Sequence, residues 1–393
     1  SGSKPEKAIN PLKKLDGKNV PIAALRGLLD HQTQAKGFAE VYSGWLMYDL
    51  TEGIWRLFNG RTWVAANEKQ VRHAALLYCG ALEAAKRSNI SVTQRKQLLS
   101  RRFATDVFET AALMPEMQIT HDQWPHHPDL LATPAGVVDL RTGDIRDARP
   151  NDLIRQMTAV APAEGCPTWE KFIDDATGGD TSLALFLQIW AGYTLTGHTR
   201  EEQFVFAHGV GVSGKSTFFD TLSAIIGSYA GVLPMTALRL SKYDQHPTDL
   251  AGVSMSRMVT AHETEANAKW NEARIKAMVS GENTQLTARF MRRDFFTYSP
   301  RFKLSITGNE KPQIQDTSGG MQRRLLLIPF NHPPVRPDRD LADKLRAEWP
   351  GILQWAIDGA VMWHHVGFVA PKVVKRETRK YFEAEDHFGT WLR

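Results

Sequence analysis

The chain has 393 residues, 42% hydrophobic and 23% charged, an ordinary globular composition that excludes intrinsic disorder and is long enough for two or three domains with cores of their own. No apolar run approaches the roughly 20 residues that cross a bilayer, and the N-terminus lacks the apolar stretch of a signal peptide, so a soluble, intracellular protein without membrane contact is expected. A formal charge of +5 and a pI near 9.1 suit a nucleic-acid partner without requiring one.

Ser1-Gly2-Ser3 has the composition of a cloning remnant, and residues 1–20 are expected to be a flexible N-terminus. A mixed α/β domain is expected over 21–165. Within it, residues 44–48, 54–58 and 62–64 are short apolar runs separated by Glu52-Gly53 and Asn59-Gly60, pairs that favour tight hairpins, which predicts three antiparallel strands. Trp45, Trp55 and Trp63 on these runs are read as a small aromatic core in preference to stacking faces for bases. The pattern turns helical over 68–108, with Arg101 and Arg102 on a solvated face. Residues 124–134, rich in His and Pro, are read as a surface loop; no carboxylate or cysteine stands at ligand spacing from His121, His126 or His127. A second hairpin is predicted over 136–145. Cys79 and Cys166 are far apart and read as ordinary thiols. Pro162, Gly165 and Pro167 mark a boundary, after which helical spacing runs over 169–195.

The strongest signal follows. Gly209, Val210, Gly211, Val212, Ser213, Gly214, Lys215 and Ser216 fit G-x-x-x-x-G-K-[ST] in full, a match that arises by chance on the order of once in a hundred chains of this length. It sits between an apolar strand, 204–206, and an apolar helix that begins with Thr217 and ends at Gly227. Glycines let successive backbone N–H groups turn toward phosphate oxygens, and the helix N-terminus adds partial positive charge. Lys215 would neutralise the β- and γ-phosphates of ATP, and the Ser216 hydroxyl would coordinate Mg²⁺.

Such a loop needs a second strand ending in acid. Residues 257–261 form that strand and run into Glu263, the expected Mg²⁺-holding and water-polarising acid, with Glu265 as a second carboxylate or a solvated neighbour. His262 reads as a packing or hydrogen-bonding residue. The strand 302–308 delivers Asn309, placed to sense the attacking water or the γ-phosphate. Arg323 and Arg324 precede the apolar run 325–330; one is expected to act as an arginine finger in a neighbour's site, Arg324 in preference to Arg323.

Together these motifs resemble the superfamily 3 helicases, within them the helicase half of phage and plasmid primases, and are similar also to the poxvirus primase-helicase. The likeness rests on residues 209–217, 260–264, 287–289, 302–309 with Lys311-Pro312, and 323–330, and on the preceding stretches 44–63, 133–143 and 190–197. Ser213 stands where many relatives have Asn. The resemblance implies an AAA+ P-loop ATPase domain over 166–335, a helical C-terminal segment over 336–393, and a hexameric ring of identical subunits with ATP and Mg²⁺ between them. It further implies 3′ to 5′ translocation on single-stranded DNA, forked DNA as substrate, and a cytoplasmic location in a bacterial host. No primase module is legible before residue 40, so primer synthesis is expected of a separate region or partner, beside other replication proteins. In this family a hairpin between the acidic and Asn strands grips DNA. Here 285–291 and 295–298 would be its arms and Arg292-Arg293-Asp294 its tip, with Arg289, Arg292, Arg293 and Lys303 as DNA contacts. The rival readings are a P-loop kinase or nucleotide switch acting on a small partner, and an origin-binding ATPase that assembles without unwinding.

Overall fold

Asp30 accepts a hydrogen bond from the Thr33 backbone and so caps α1 (His31–Val41), satisfying one of the donors that every helix start leaves open. This computed structural model describes residues 20–120, 123–240, 248–263, 269–281, 284–291, 294–314 and 319–391. They form two units, 20–126 with 147–156, and 127–146 with 157–391.

In the first unit, β1 (Leu46–Asp49), β2 (Ile54–Phe58) and β3 (Trp63–Ala65) pair antiparallel as the turn signals predict. The helical stretch is three helices, α2 (Glu68–Lys86), α3 (Val92–Leu98) and α4 (Arg101–Ala111). A short β4 (Gln118–Ile119) joins β1 in parallel. Trp55 and Trp63 are buried; Trp55 lies 5.4 Å from Phe108 and Trp63 5.7 Å from Phe58, ring to ring. They are core, and offer no face to a base. Arg101 and Arg102 are exposed.

The second unit opens with β5 (Leu130–Thr133), β6 (Gly136–Asp139) and β7 (Ile145–Arg146), an antiparallel meander. Part of the stretch read as a loop is therefore a strand: Leu130-Leu131-Ala132-Thr133 is an apolar run too short to stand out beside the prolines before it. Next come α5 (Pro167–Thr177) and α6 (Thr181–Leu195), separated by Gly178 in the left-handed region. Most of α6 is apolar, and all of residues 189–195 are buried.

The central sheet is built from β8 (Phe204–His208), β9 (Ala230–Val232), β10 (Met258–Glu263), β13 (Lys303–Gly308) and β14 (Leu325–Pro329). Its order is β14-β8-β13-β10-β9, and every pairing is parallel. All residues of β8, β13 and β14 are buried, as expected of strands covered on both faces. Between the strands lie α7 (Lys215–Ile226), α8 (Thr248–Gly252), α9 (Glu272–Met278), the hairpin β11 (Leu286–Arg289) with β12 (Phe295–Tyr298), and α10 (Gly319–Gln322).

The C-terminal segment is helical as expected, with α11 (Leu341–Ala347), α12 (Trp349–Val366) and α13 (Lys372–Trp391). Helix α12 lies against α6 so closely that a Cβ at Gly192 would sit 2.0 Å from the Ala360 nitrogen, and one at Gly359 2.1 Å from the Gln188 oxygen. Among the described residues no helix is long and apolar enough to cross a membrane.

Candidate nucleotide-binding site

Strand β8 ends at His208, and the chain turns at once through the glycine-rich loop into α7. The turn needs Gly209, whose φ is +148° and whose Cβ would lie 2.0 Å from the Phe330 carbonyl oxygen at the end of the neighbouring strand. Gly214 begins α7 from the left-handed region, φ +91°, and Val212 also has positive φ, +63°. A valine in that region is strained by about 1–3 kcal/mol, a cost typical of functional loops. The loop thus has the shape of an anion cradle at a helix N-terminus.

Lys215 starts α7 with its ammonium turned back into the loop, donating to the carbonyls of Gly209 at 2.8 Å and Val210 at 2.9 Å and to Ser213 Oγ at 3.2 Å. Burial lowers its pKa below the ordinary lysine value. Ser213 Oγ in turn donates to Val210 O at 2.8 Å, so the serine braces the loop from within. Ser216 is exposed in the first turn of α7, and Thr217 is half-buried. Gly211 and Val212 are exposed at the loop tip.

Strand β13 lies between β8 and β10, with Glu263 opposite Gly308 in register, so the acid and Asn309 leave the sheet at the same edge as the glycine loop. In parallel sheets that edge receives ligands. Asn309 is exposed there. Glu263 is buried: Oε1 is ion-paired with Arg239 Nη2, and Oε2 accepts from Trp270 Nε1 at 3.4 Å. The pairing of Arg239 with Trp270 across a β-bridge brings this arginine to the acid. Sequence reasoning missed Arg239, which belongs to no motif and stands well before Glu263. His262 donates to or accepts from Thr307 Oγ1 at 2.8 Å, the hydrogen-bonding role expected of it. Glu265 lies outside the described residues, as do Arg292, Arg293 and His121.

Two residues expected at the surface are buried in the structure. Lys303, read as a DNA contact, is buried; its ammonium donates to the carbonyls of Thr196, His198 and Arg301 and lies 4.9 Å from the Tyr193 ring. Burial puts its pKa well below the lysine value. Beside it Arg257, also buried, donates to Leu195 O at 2.6 Å. The two cations satisfy carbonyls at the C-terminus of α6, where positive charge is favoured. Arg324, preferred as the finger, is buried too, donating to Gly320 O at 3.0 Å, Ser280 Oγ at 3.2 Å and Glu202 Oε2 at 3.3 Å. In this structure the Arg324 guanidinium is engaged within its own chain. Arg323 is exposed.

The predicted hairpin is present, Arg289 opposite Phe295. Arg289 stacks its guanidinium over Phe295 at 4.8 Å, and Phe290, Met291 and Phe295 are exposed at its end.

His208 carries a consequence for stability. Its burial, with the nearby charges of Lys311 and Lys215, pushes its pKa down to about 4. The native state keeps it neutral while the unfolded chain takes up a proton below about 6.5, so stability is present above that pH and is lost as pH falls toward 4. The loss amounts to roughly 3 kcal/mol over that window. Urea midpoints at pH 7 and pH 5 should differ more for the wild type than for His208→Gln. Equal differences would mean that another group carries the acid sensitivity.

Residues 35–178 match the family described as D5 N terminal like, and residues 207–324 match a family of unknown function, DUF5906. Over 286 residues, 65% of this chain, the sequence is 25% identical to the "Putative helicase L207/L206" of Acanthamoeba polyphaga mimivirus, of which it spans 29%. A 67-residue stretch is 30% identical to the uncharacterized mitochondrial protein ymf21 of Marchantia polymorpha, covering 17% of this chain and 37% of that protein. The chain thus spans well under half the length of these relatives. Two apo structures of the NrS-1 C-terminal region superpose on 86% of the chain with TM-scores of 0.53 and 0.52, at 10% and 12% identity, covering 72% and 71% of theirs. That likeness is one of fold. With the ordered motifs, these findings support the resemblance to the helicase part of phage-type primase-helicases read from the sequence.

Proposed function

We propose that this chain is an ATP-driven replicative DNA helicase of the superfamily 3 type, with an AAA+ domain over residues 166–335 flanked by an N-terminal domain over 21–165 and a helical segment over 336–393. The observation that carries the reading is the sheet order β14-β8-β13-β10-β9, which sends the glycine loop, Glu263 and Asn309 to one edge. The residues fit ATP and Mg²⁺: a loop that only glycine can close at position 209, a buried ammonium inside it, and an exposed hydroxyl on the first helical turn. Residues 209–217 would hold the triphosphate, and Ser216 and Glu263 the metal. Mg²⁺ supplies charge neutralisation at the β- and γ-phosphates.

The chain's own groups have defined tasks. Lys215 exchanges its contacts with the Gly209 and Val210 carbonyls for phosphate oxygens. Glu263 polarises the attacking water, and Asn309 orients it. Arg323 reaches across to the site of the next subunit in a hexameric ring. The β11–β12 hairpin contacts single-stranded DNA through Arg289 and, at its tip, Arg292 and Arg293, while the ring moves 3′ to 5′ and opens forked DNA. The setting is the cytoplasm of a bacterial host, with a primase module and replication proteins as companions.

The deciding experiment is unwinding of forked DNA with ATP, run beside a size measurement with a non-hydrolysable analogue. DNA-stimulated hydrolysis and strand displacement by a ring-sized particle are expected. Phosphoryl transfer to a small acceptor, indifferent to DNA, would replace the motor with a kinase. ATP-dependent rings that never displace a strand would leave an assembly platform.

A further inference from the structure

Three side chains from separate segments of the second unit aim ligand atoms at one another near the N-terminal edge of the central sheet. Asp129 immediately precedes β5, His198 follows α6, and His364 stands in the last turn of α12. His198 Nε2 lies 2.9 Å and His364 Nε2 3.0 Å from the same oxygen, Asp129 Oδ1, and the three ligand atoms all fall within 4.8 Å. All three side chains are largely buried, 16–22% exposed.

Hydrogen bonding accounts for half of this arrangement. His198 is hydrogen-bonded to Asp129, whereas the buried Nε2 of His364 has no hydrogen bond of acceptable geometry although it is equally close. Two imidazole nitrogens and a carboxylate oxygen converging from three directions form a set that zinc accepts, at about 2.0–2.2 Å from each. Ligand atoms around a tetrahedral centre of that size stand about 3.3 Å apart, within a few tenths of an ångström of the two separations to Asp129 Oδ1.

The rings are held in place by their surroundings. His198 lies 5.5 Å from the Trp363 ring and 5.9 Å from His364. The Trp363 indole is itself fixed by donation to Glu201 Oε1 at 3.0 Å and by Arg200 4.1 Å over its face. Such bracing reduces the ordering that a metal must impose on its ligands.

We propose that Asp129, His198 and His364 form a binding site for a divalent transition metal, zinc foremost, that staples the end of α12 to the end of α6 and to the start of the β5–β6 hairpin. A water completes the fourth position. The nearby positive charges of Arg257 and Arg200 oppose a dication, so the affinity falls below that of a closed four-ligand zinc site. This site lies away from the glycine loop and does not depend on the ATPase reading.

The test uses the full chain, expressed without a polyhistidine tag and purified without chelator. Elemental analysis should find one zinc ion per chain, lost in His364→Gln and in Asp129→Asn, with circular dichroism confirming that both variants fold. Metal-free wild type titrated with Co²⁺ should develop the visible absorption of a low-symmetry nitrogen and oxygen site, and His198→Gln should not. Chelation should lower the thermal midpoint of the wild type and leave that of His364→Gln unchanged. A wild type with no bound zinc, no cobalt absorption and a midpoint indifferent to chelator would reduce the cluster to a hydrogen-bonded pair. Full retention of metal in both histidine variants would place the metal elsewhere, and either result overturns the proposal.

Discussion

Lys215→Ala is expected to abolish ATP hydrolysis and, with it, DNA unwinding. The ammonium is the one charge at this loop that can meet the β- and γ-phosphates, and removing it takes away an electrostatic contribution worth about 3–4 kcal/mol or more in the transition state, a factor of roughly 150 to 900 or more in rate. The same ammonium now bonds two carbonyls and a hydroxyl of the loop, so the variant's loop should also become more mobile. Circular dichroism and thermal melting therefore belong beside the assay. A folded Lys215→Ala protein that still turns over ATP near the wild-type rate would remove the phosphate-loop assignment. Glu263→Gln should differ: nucleotide binding survives while turnover falls by roughly 100- to 10,000-fold, the range for a lost general base. Because Glu263 is ion-paired with Arg239, the glutamine should also lower stability, which an acid acting only on solvent would not. Unchanged turnover would transfer the role to Glu265.

The architecture was legible wherever a local rule and the tertiary context agree. The hairpin of β1 and β2 follows from Glu52-Gly53, with Gly53 at φ +65°, and β8 with α7 follows from a motif whose every position has a backbone reason. Runs such as 325–329, apolar without alternation, announce strands buried on both faces. Residues whose type is fixed but whose partner is remote were not legible. Nothing local distinguishes Arg323 from Arg324, and the difference comes from Glu202, Ser280 and Gly320, two of them distant in sequence and all meeting Arg324. Lys303 looks like any basic residue near a hairpin until the carbonyls at the end of α6 are brought against it. The cluster of Asp129, His198 and His364 escaped for the same reason, since metal-ligand spacing can be read from sequence only where ligands share a segment. His126 and His127, which share one, belong to no such cluster among the described residues.

The two arginines give the second large effect, which separates the residue proposed to act in a neighbouring subunit from one that holds its own. Arg323→Ala subunits should fold and bind ATP with little change, because the side chain is exposed and the phosphate loop is untouched. They should nevertheless lose hydrolysis by about 1,000-fold or more, the value of a finger that stabilises the transferring phosphoryl group. Mixed with Lys215→Ala subunits they should regain part of the activity, since a hybrid interface then joins an intact loop from one subunit to an intact Arg323 from the next. Neither variant alone can form that interface, so the rescue cannot come from either homogeneous ring. Arg324→Ala should behave as a folding defect instead. It removes a buried guanidinium that donates to a carboxylate, a hydroxyl and a carbonyl, at a cost of roughly 1.5–3 kcal/mol for hydrogen bonds to a charged group. Its melting temperature should drop, and its activity per folded subunit should be only modestly reduced. Mixing it with Lys215→Ala should give no rescue beyond what its own residual activity supplies. If instead Arg324→Ala is stable, inactive and rescued in mixed rings while Arg323→Ala is fully active, the finger is Arg324, and its contacts to Glu202 and Ser280 must break when subunits assemble.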